Sequence, residues 1–196
     1  MLDTPSAPPE SRATTPFWKL WCDLAQSGHS TPFLLIDCAG VEGGRQRLPA
    51  QVFARLESLF AGDLADELAD AGPYLGQLAS LSDAVGAIVL DLLVRRVAVL
   101  VSMPEASQQQ ESPDPFDVTF DQLHRHLRKF NVIYGSDSSA LYFRYYDPRV
   151  LDDVLCVMQA PQLIEFFGPI HTLGLVNQFN QLVQCGCRNG QLTILP

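Results

Sequence analysis

The stretch "LYFRYYDPRVLDDVL", residues 141–155, changes its period halfway along. In its first half, two-residue alternation sets Leu141, Phe143 and Tyr145 on one face of an extended chain and Tyr142, Arg144 and Tyr146 on the other. In its second half, Val150, Leu151, Val154 and Leu155, continued by Met158, keep the spacing of one helical face. At the junction, Asp147 followed by Pro148 reads as an N-cap and first helical residue. A strand that turns directly into a capped helix places the chain in the mixed α/β (α+β) class, and the pattern continues on both sides.

Upstream, "NVIY", the turn "GSDSS" and "ALYFRYY" form a hairpin (131–146). Thr119 and Gln122 match a capping box for a helix carrying Phe120, Leu123, Leu127 and Phe130. "PEASQQQESPDP" (104–115) contains no large aliphatic or aromatic residue and reads as a loop or interlobe linker. Before it, "PFLLIDCAG" (32–40) and "VAVLVSM" (97–103) are buried strands, and Ser82 or Asp83 caps a helix through Val85, Ile88, Val89, Leu92 and Leu93. Pro49 is expected to open a helix on Val52, Phe53, Leu56, Leu59 and Phe60, and "AGPYLGQL" (71–78) to form a short extended piece. Trp18, Leu20 and Trp21 begin a short helix that leans on the body.

Downstream, Pro161 starts a helix through Leu163, Ile164 and Phe167 that Gly168 and Pro169 stop. The tail from Ile170 is extended, with Asn189-Gly190 as a hairpin turn. The expected organisation is a partly flexible leader (1–31), an N-terminal α/β lobe (32–103), the linker (104–115), and a C-terminal helix-hairpin-helix lobe with short strands (116–196).

With 47% hydrophobic and 18% charged residues, the 196-residue chain is globular rather than disordered. Its longest apolar runs, "AIVL" and "VAVLV", are far short of the roughly 20 residues of a membrane span. The first residues carry neither a basic n-region nor an apolar h-region, which points to a cytoplasmic protein. A net charge of -9 repels phosphate backbones and disfavours nucleic acid as a partner. Cys22, Cys38, Cys156, Cys185 and Cys187, odd in number and irregularly spaced, read as buried hydrophobes or free thiols.

No constellation nominates a catalyst. On a helix, His124 and His126 point about 200° apart and do not share a metal ion; solvated or interface histidines are the plainer alternative. Cys185 and Cys187 share a strand face but lack a second ligand pair, so strand-end packing accounts for them. "GVEGG" (40–44) has neither the glycine spacing nor the lysine of a phosphate-binding loop. Asp37 closes a buried strand where α/β enzymes often place a catalytic carboxylate; a carboxylate capping the following loop is the plainer reading. Neither a metal nor a cofactor is expected.

The corner at 141–155 offers more. Arg149 lies in the first helical turn, where a cation opposes the helix dipole, so it calls for an anionic partner. Arg144 and Arg149 beside tyrosines suit bidentate carboxylate recognition and resemble interface hot spots. An internal Arg–Asp clasp fits equally well, and one arrangement can serve both ends. Arg125, Arg128, Lys129, Arg144 and Arg149 crowd five of the chain's 13 Lys and Arg into 25 residues, a basic patch suited to docking an acidic protein segment.

"FRYYDPRVL" (143–151) followed by "FFGPI" (166–170) resembles the signature of the type VI secretion effector-chaperone or adaptor family, long catalogued only as a domain of unknown function. "FLLIDCAG", "LESLFAG", "AGPYLGQL" and "FDQLHRHLRKF" resemble further pieces of that family in the same order, over about residues 32–170. Cys38, the 104–115 insertion, the leader and the tail depart from it. The resemblance implies an adaptor, not an enzyme. It would bind a toxic effector in the bacterial cytoplasm and help load it onto the spike, a valine-glycine repeat protein or its PAAR tip, without cofactor, nucleic acid or membrane insertion. It carries over Phe143, Arg144, Asp147, Pro148, Arg149, Phe167, Gly168 and Pro169 as motif residues; Tyr146, on the same face as Arg144, joins them as a candidate partner-binding residue. Two rival functions are a small α/β hydrolase or transferase using Asp37 with a histidine, and an immunity protein that neutralises a toxin through its acidic surface.

Overall fold

The computed structural model describes residues 15–26, 32–103, 115–134 and 139–195. Its centre is a seven-stranded antiparallel sheet in the order β2-β3-β1-β4-β7-β8-β9. The strands are β1 Phe33–Asp37, β2 Phe53–Ser58, β3 Pro73–Leu78, β4 Ala98–Ser102, β7 Thr172–Val176, β8 Leu182–Arg188 and β9 Gln191–Leu195. A separate hairpin pairs β5 Val132–Tyr134 with β6 Ala140–Tyr142. The helices are α1 Pro16–Gln26, α2 Asp63–Glu67, α3 Asp83–Val94, α4 Pro115–Arg128, α5 Pro148–Leu155 and α6 Ala160–Phe167. The mixed α/β class read from the sequence is the class observed.

The apolar runs at 33–37 and 98–102 are unbroken because the sheet is covered on both faces. Alternate residues of β1 go to opposite cores. Phe33 and Leu35 join Val99, Val101, Leu173 and Cys185 under Phe120, Leu123, Leu151 and Phe166 of α4, α5 and α6. Leu34 and Ile36 join Ala98 and Leu100 under Trp18 and Trp21 of α1 and Val89 and Leu93 of α3. Register aligns the first set across the sheet: Phe33 faces Val101, Val101 faces Leu173, and Leu173 faces Cys185. Strands on both sides of residues 104–114 thus share one sheet. All five thiols are free; burial pushes Cys38 up to about 12 and Cys185 up to about 11, so both act as small apolar fillers.

Several expected elements are present. Ser82 caps α3 through the Val85 N–H, Asn189 and Gly190 turn between β8 and β9 with positive φ at both, and α1 packs its tryptophans on the sheet. Three differ. The helix expected from Pro49 is a short 3-10 turn followed by the edge strand β2. Arg55 and Glu57, two residues apart, bond at 2.7 Å, a pairing that an extended chain permits and a helix does not. The Phe53 ring lies over Gly76 of β3, where a side chain would leave no room. The capping box at Thr119 and Gln122 is not formed, because α4 already begins at Pro115. The alternation expected through Tyr146 stops at Tyr142, where β6 ends; the chain turns at 145–146, and Tyr145 and Tyr146 are both buried.

Candidate functional site

Asp147 adopts extended backbone before α5, and its carboxylate accepts the Arg149 N–H at 3.0 Å while Pro148 fills the first helical position. The Arg149 guanidinium then folds back on the same carboxylate, donating from Nε to Oδ1 and from Nη2 to Oδ2, both at 2.8 Å. This bidentate fork answers the misplaced cation of the first turn. Arg144 reaches across the corner: its Nη2 donates to Asp37 Oδ2 at 2.8 Å and lies 3.5 Å from Asp147 Oδ2. The other Asp37 oxygen accepts the Ala39 N–H at 3.3 Å, capping the turn after β1. Two carboxylates with almost no exposure are therefore bound by two arginines whose side chains stay about half exposed.

The two acids respond differently. Burial pushes the Asp37 carboxyl above its ordinary value, and Arg144 offsets that only in part. Burial acts the same way on Asp147, but the hydrogen bonds and charge of Arg149, with the charge of Arg144, outweigh it and hold the group below its ordinary value. The result is an internal clasp tying the end of β1 to the start of α5. Asp37 is the partner that the local sequence did not supply, because it lies 107 residues from Arg144; the sequence signal was a carboxylate closing a buried strand, which requires a cation.

The rings of the corner turn inward. Phe143 and Tyr146 are buried, Tyr145 is fully buried with its hydroxyl donating to the Leu127 carbonyl at 2.8 Å, and Tyr142 alone is well exposed. Phe143, Tyr145, Phe166 and Phe167 form a chain of ring contacts at 5.8, 6.1 and 5.9 Å. Through it the corner joins the second motif. Phe167 is buried at the end of α6, Gly168 caps that helix with φ +37°, and Pro169 borders a small cavity.

The histidines are neither paired nor simply solvated. His124 Nε2 lies 2.8 Å from the Ser58 carbonyl. His126 Nε2 lies 2.8 Å from the Phe166 carbonyl and must donate to it, and burial lowers its pKa. A Cβ at Gly168 would meet His126 Cε1 at 2.5 Å, so this glycine is needed both for its backbone angle and for the imidazole beside it. Among the described residues no group of three His, Cys, Asp or Glu stands where it could hold a metal ion, and no helix is long and apolar enough to cross a membrane.

Sequence reasoning missed a groove of about 670 Å³ beside this ring chain. It runs between β5, α5 and α6, and Phe143 and Phe166 of the two motifs line it. Its signal was present in the apolar Val132, Ile133 and Val157, residues that the hairpin and the α5–α6 turn leave without cover.

Neither the curated proteins nor the solved structures gave a match to the chain. A family model did, over residues 32–165, which takes in the clasp, β1 and most of α6. The chain thus belongs to the family described as a domain of unknown function, DUF4123.

Proposed function

We propose that the protein is a cytoplasmic adaptor, or chaperone, that binds a type VI secretion effector and helps load it onto the spike, a valine-glycine repeat protein or PAAR tip. Membership of the family over residues 32–165 is the observation that carries this reading, since the motifs resembling the adaptor signature lie within or next to that span. The clasp supports it. Asp37, the one carboxylate placed where an enzyme would use it, is engaged by Arg144 and the Ala39 N–H, as a structural brace would be. On this reading Arg144, Asp147 and Arg149 fix the angle between strand and helix, the buried Phe143, Tyr146, Pro148 and Phe167 support it from within, Gly168 and Pro169 lie at the surface of the second motif, and no cofactor takes part. Docking is reversible, because a carrier must release its cargo to the spike.

The test is export. Deleting the gene should lower the amount of the effector encoded beside it in the medium, and restoring the wild-type chain or the Asp37→Asn variant should recover it. An activity abolished by Asp37→Asn with fold and binding intact would instead establish the enzyme. Protection of a target cell from the toxin without change in export would establish an immunity protein.

A further inference from the structure

The end of α4 concentrates positive charge that no carboxylate among the described residues pairs with, although Arg125 Nε donates to the Asp121 carbonyl at 3.2 Å. Arg55, Arg144 and Arg149 are held by carboxylates, whereas Arg125, Arg128 and Lys129 make no ion pair among the described residues. Arg125 and Lys129, with Gln122, His126 and Pro169, line a cavity of about 330 Å³ that has no carboxylate among the described residues of its wall. The chain as a whole carries -9, so this site is a local reversal of sign.

Lys129 also lines the groove of about 670 Å³, whose walls include Phe130, Ile133, Phe143, Val157 and Met158. Ile133 is 42% and Val157 76% exposed, large apolar side chains that the fold leaves in water. Among the described residues that line the groove, Glu165 is the one carboxylate and Lys129 the one cation. An apolar trough that shares Lys129 with the cavity lined by Arg125 matches a segment with apolar anchors on one side and carboxylates beside them. The anchors would supply affinity and the charges orientation. A flat anionic bilayer has the charge but not the shape to enter a trough walled by a hairpin and two helices.

We infer that this groove receives an acidic amphipathic segment of a partner protein, its apolar side chains against Ile133, Val157 and Met158 and its carboxylates against Arg125 and Lys129. The inference deepens the adaptor reading by naming where the cargo is held and what kind of segment holds it there.

The full chain is panned against a displayed library of random peptides long enough for about four helical turns. Selected peptides are then titrated against wild type, Val157→Asp and the Arg125→Glu, Lys129→Glu double variant. All three residues are exposed at the surface, and a thermal melt of each variant checks that it folds. Enriched peptides should pair apolar residues at helical spacing with Asp or Glu. They should lose at least about tenfold in affinity to either variant, and added salt should weaken them on wild type more than on the charge-reversed protein. Failure to enrich, enrichment of basic peptides, or equal binding to all three proteins would overturn the inference, as would binding to phosphatidylglycerol vesicles without binding to peptides. If the variants still capture the neighbouring effector at wild-type level, the groove is wrong and the adaptor reading stands. If wild type binds acidic peptides selectively but captures no effector, the groove stands and the adaptor reading falls.

Discussion

Arg144 and Arg149 resemble each other in sequence, yet the structure gives them unequal duties. Arg149 closes a fork on a carboxylate that also keeps a backbone N–H, so Arg149→Ala leaves Asp147 partly satisfied. Arg144 is the side-chain partner of Asp37, a nearly unexposed acid on the last residue of a central strand. Arg144→Ala should therefore cost more, about 1–3 kcal/mol for stranding a buried acceptor, against about 1 kcal/mol or less for Arg149→Ala. Urea denaturation of both variants checks this order, and equal losses would contradict it. At Gly168 the constraint is steric. Gly168→Ala sets a Cβ against an imidazole pinned by the Phe166 carbonyl and should cost about 1–3 kcal/mol. Adding His126→Ala should return part of that loss in a double-mutant cycle; strict additivity would mean that backbone angle alone makes the glycine necessary.

Among the elements, the clasp is the joint between β1 and α5, and its two acids give it a distinctive pH response. Asp147 is held below its ordinary value, so its contribution is complete above the ordinary carboxylate range and disappears as pH falls through its lowered folded value. Asp37 is held above its ordinary value, so its protonation favours the fold: that contribution is present below the ordinary range and is lost as pH rises through the raised folded value. Mild acidification should thus raise the stability of the fold before stronger acid lowers it. In urea midpoints measured across pH, Asp37→Asn should remove the first effect and Asp147→Asn the second. Parallel profiles for the two variants would contradict the assignment. The same joint shows what was legible. Asp147-Pro148 announced the cap and first turn of α5 through residue types that satisfy orphan N–H groups, and Ser82 and Asn189-Gly190 did the same locally. Apolar spacing alone misled at 52–60, because five large apolar residues in nine fit an edge strand as well as a helix. The deciding cue was the charged pair at Arg55 and Glu57.

For the molecule as a whole, long-range pairing was the part hidden in the sequence. The class of fold followed from period and caps. The order of the sheet did not, since nothing local tells β4 to accept β7 from about 70 residues away. The arginine corner was visible as a cluster, yet the Asp37 partner, the inward turn of Phe143, Tyr145 and Tyr146, and the groove that Phe143 borders depend on elements that meet only after folding. What emerges is a sheet covered on both faces, a charged joint that sets one helix against it, and beside that joint an open apolar trough near unpaired cations. Such a body is suited to holding another chain. The most direct measurement of that claim is co-expression of the tagged protein with the effector proposed as its partner, followed by affinity capture and size exclusion. A stable complex containing the effector, eluting as one species and dissociating when spike protein is added, is the expected result. Recovery of the tagged chain alone, with the effector expressed and soluble, would contradict the account.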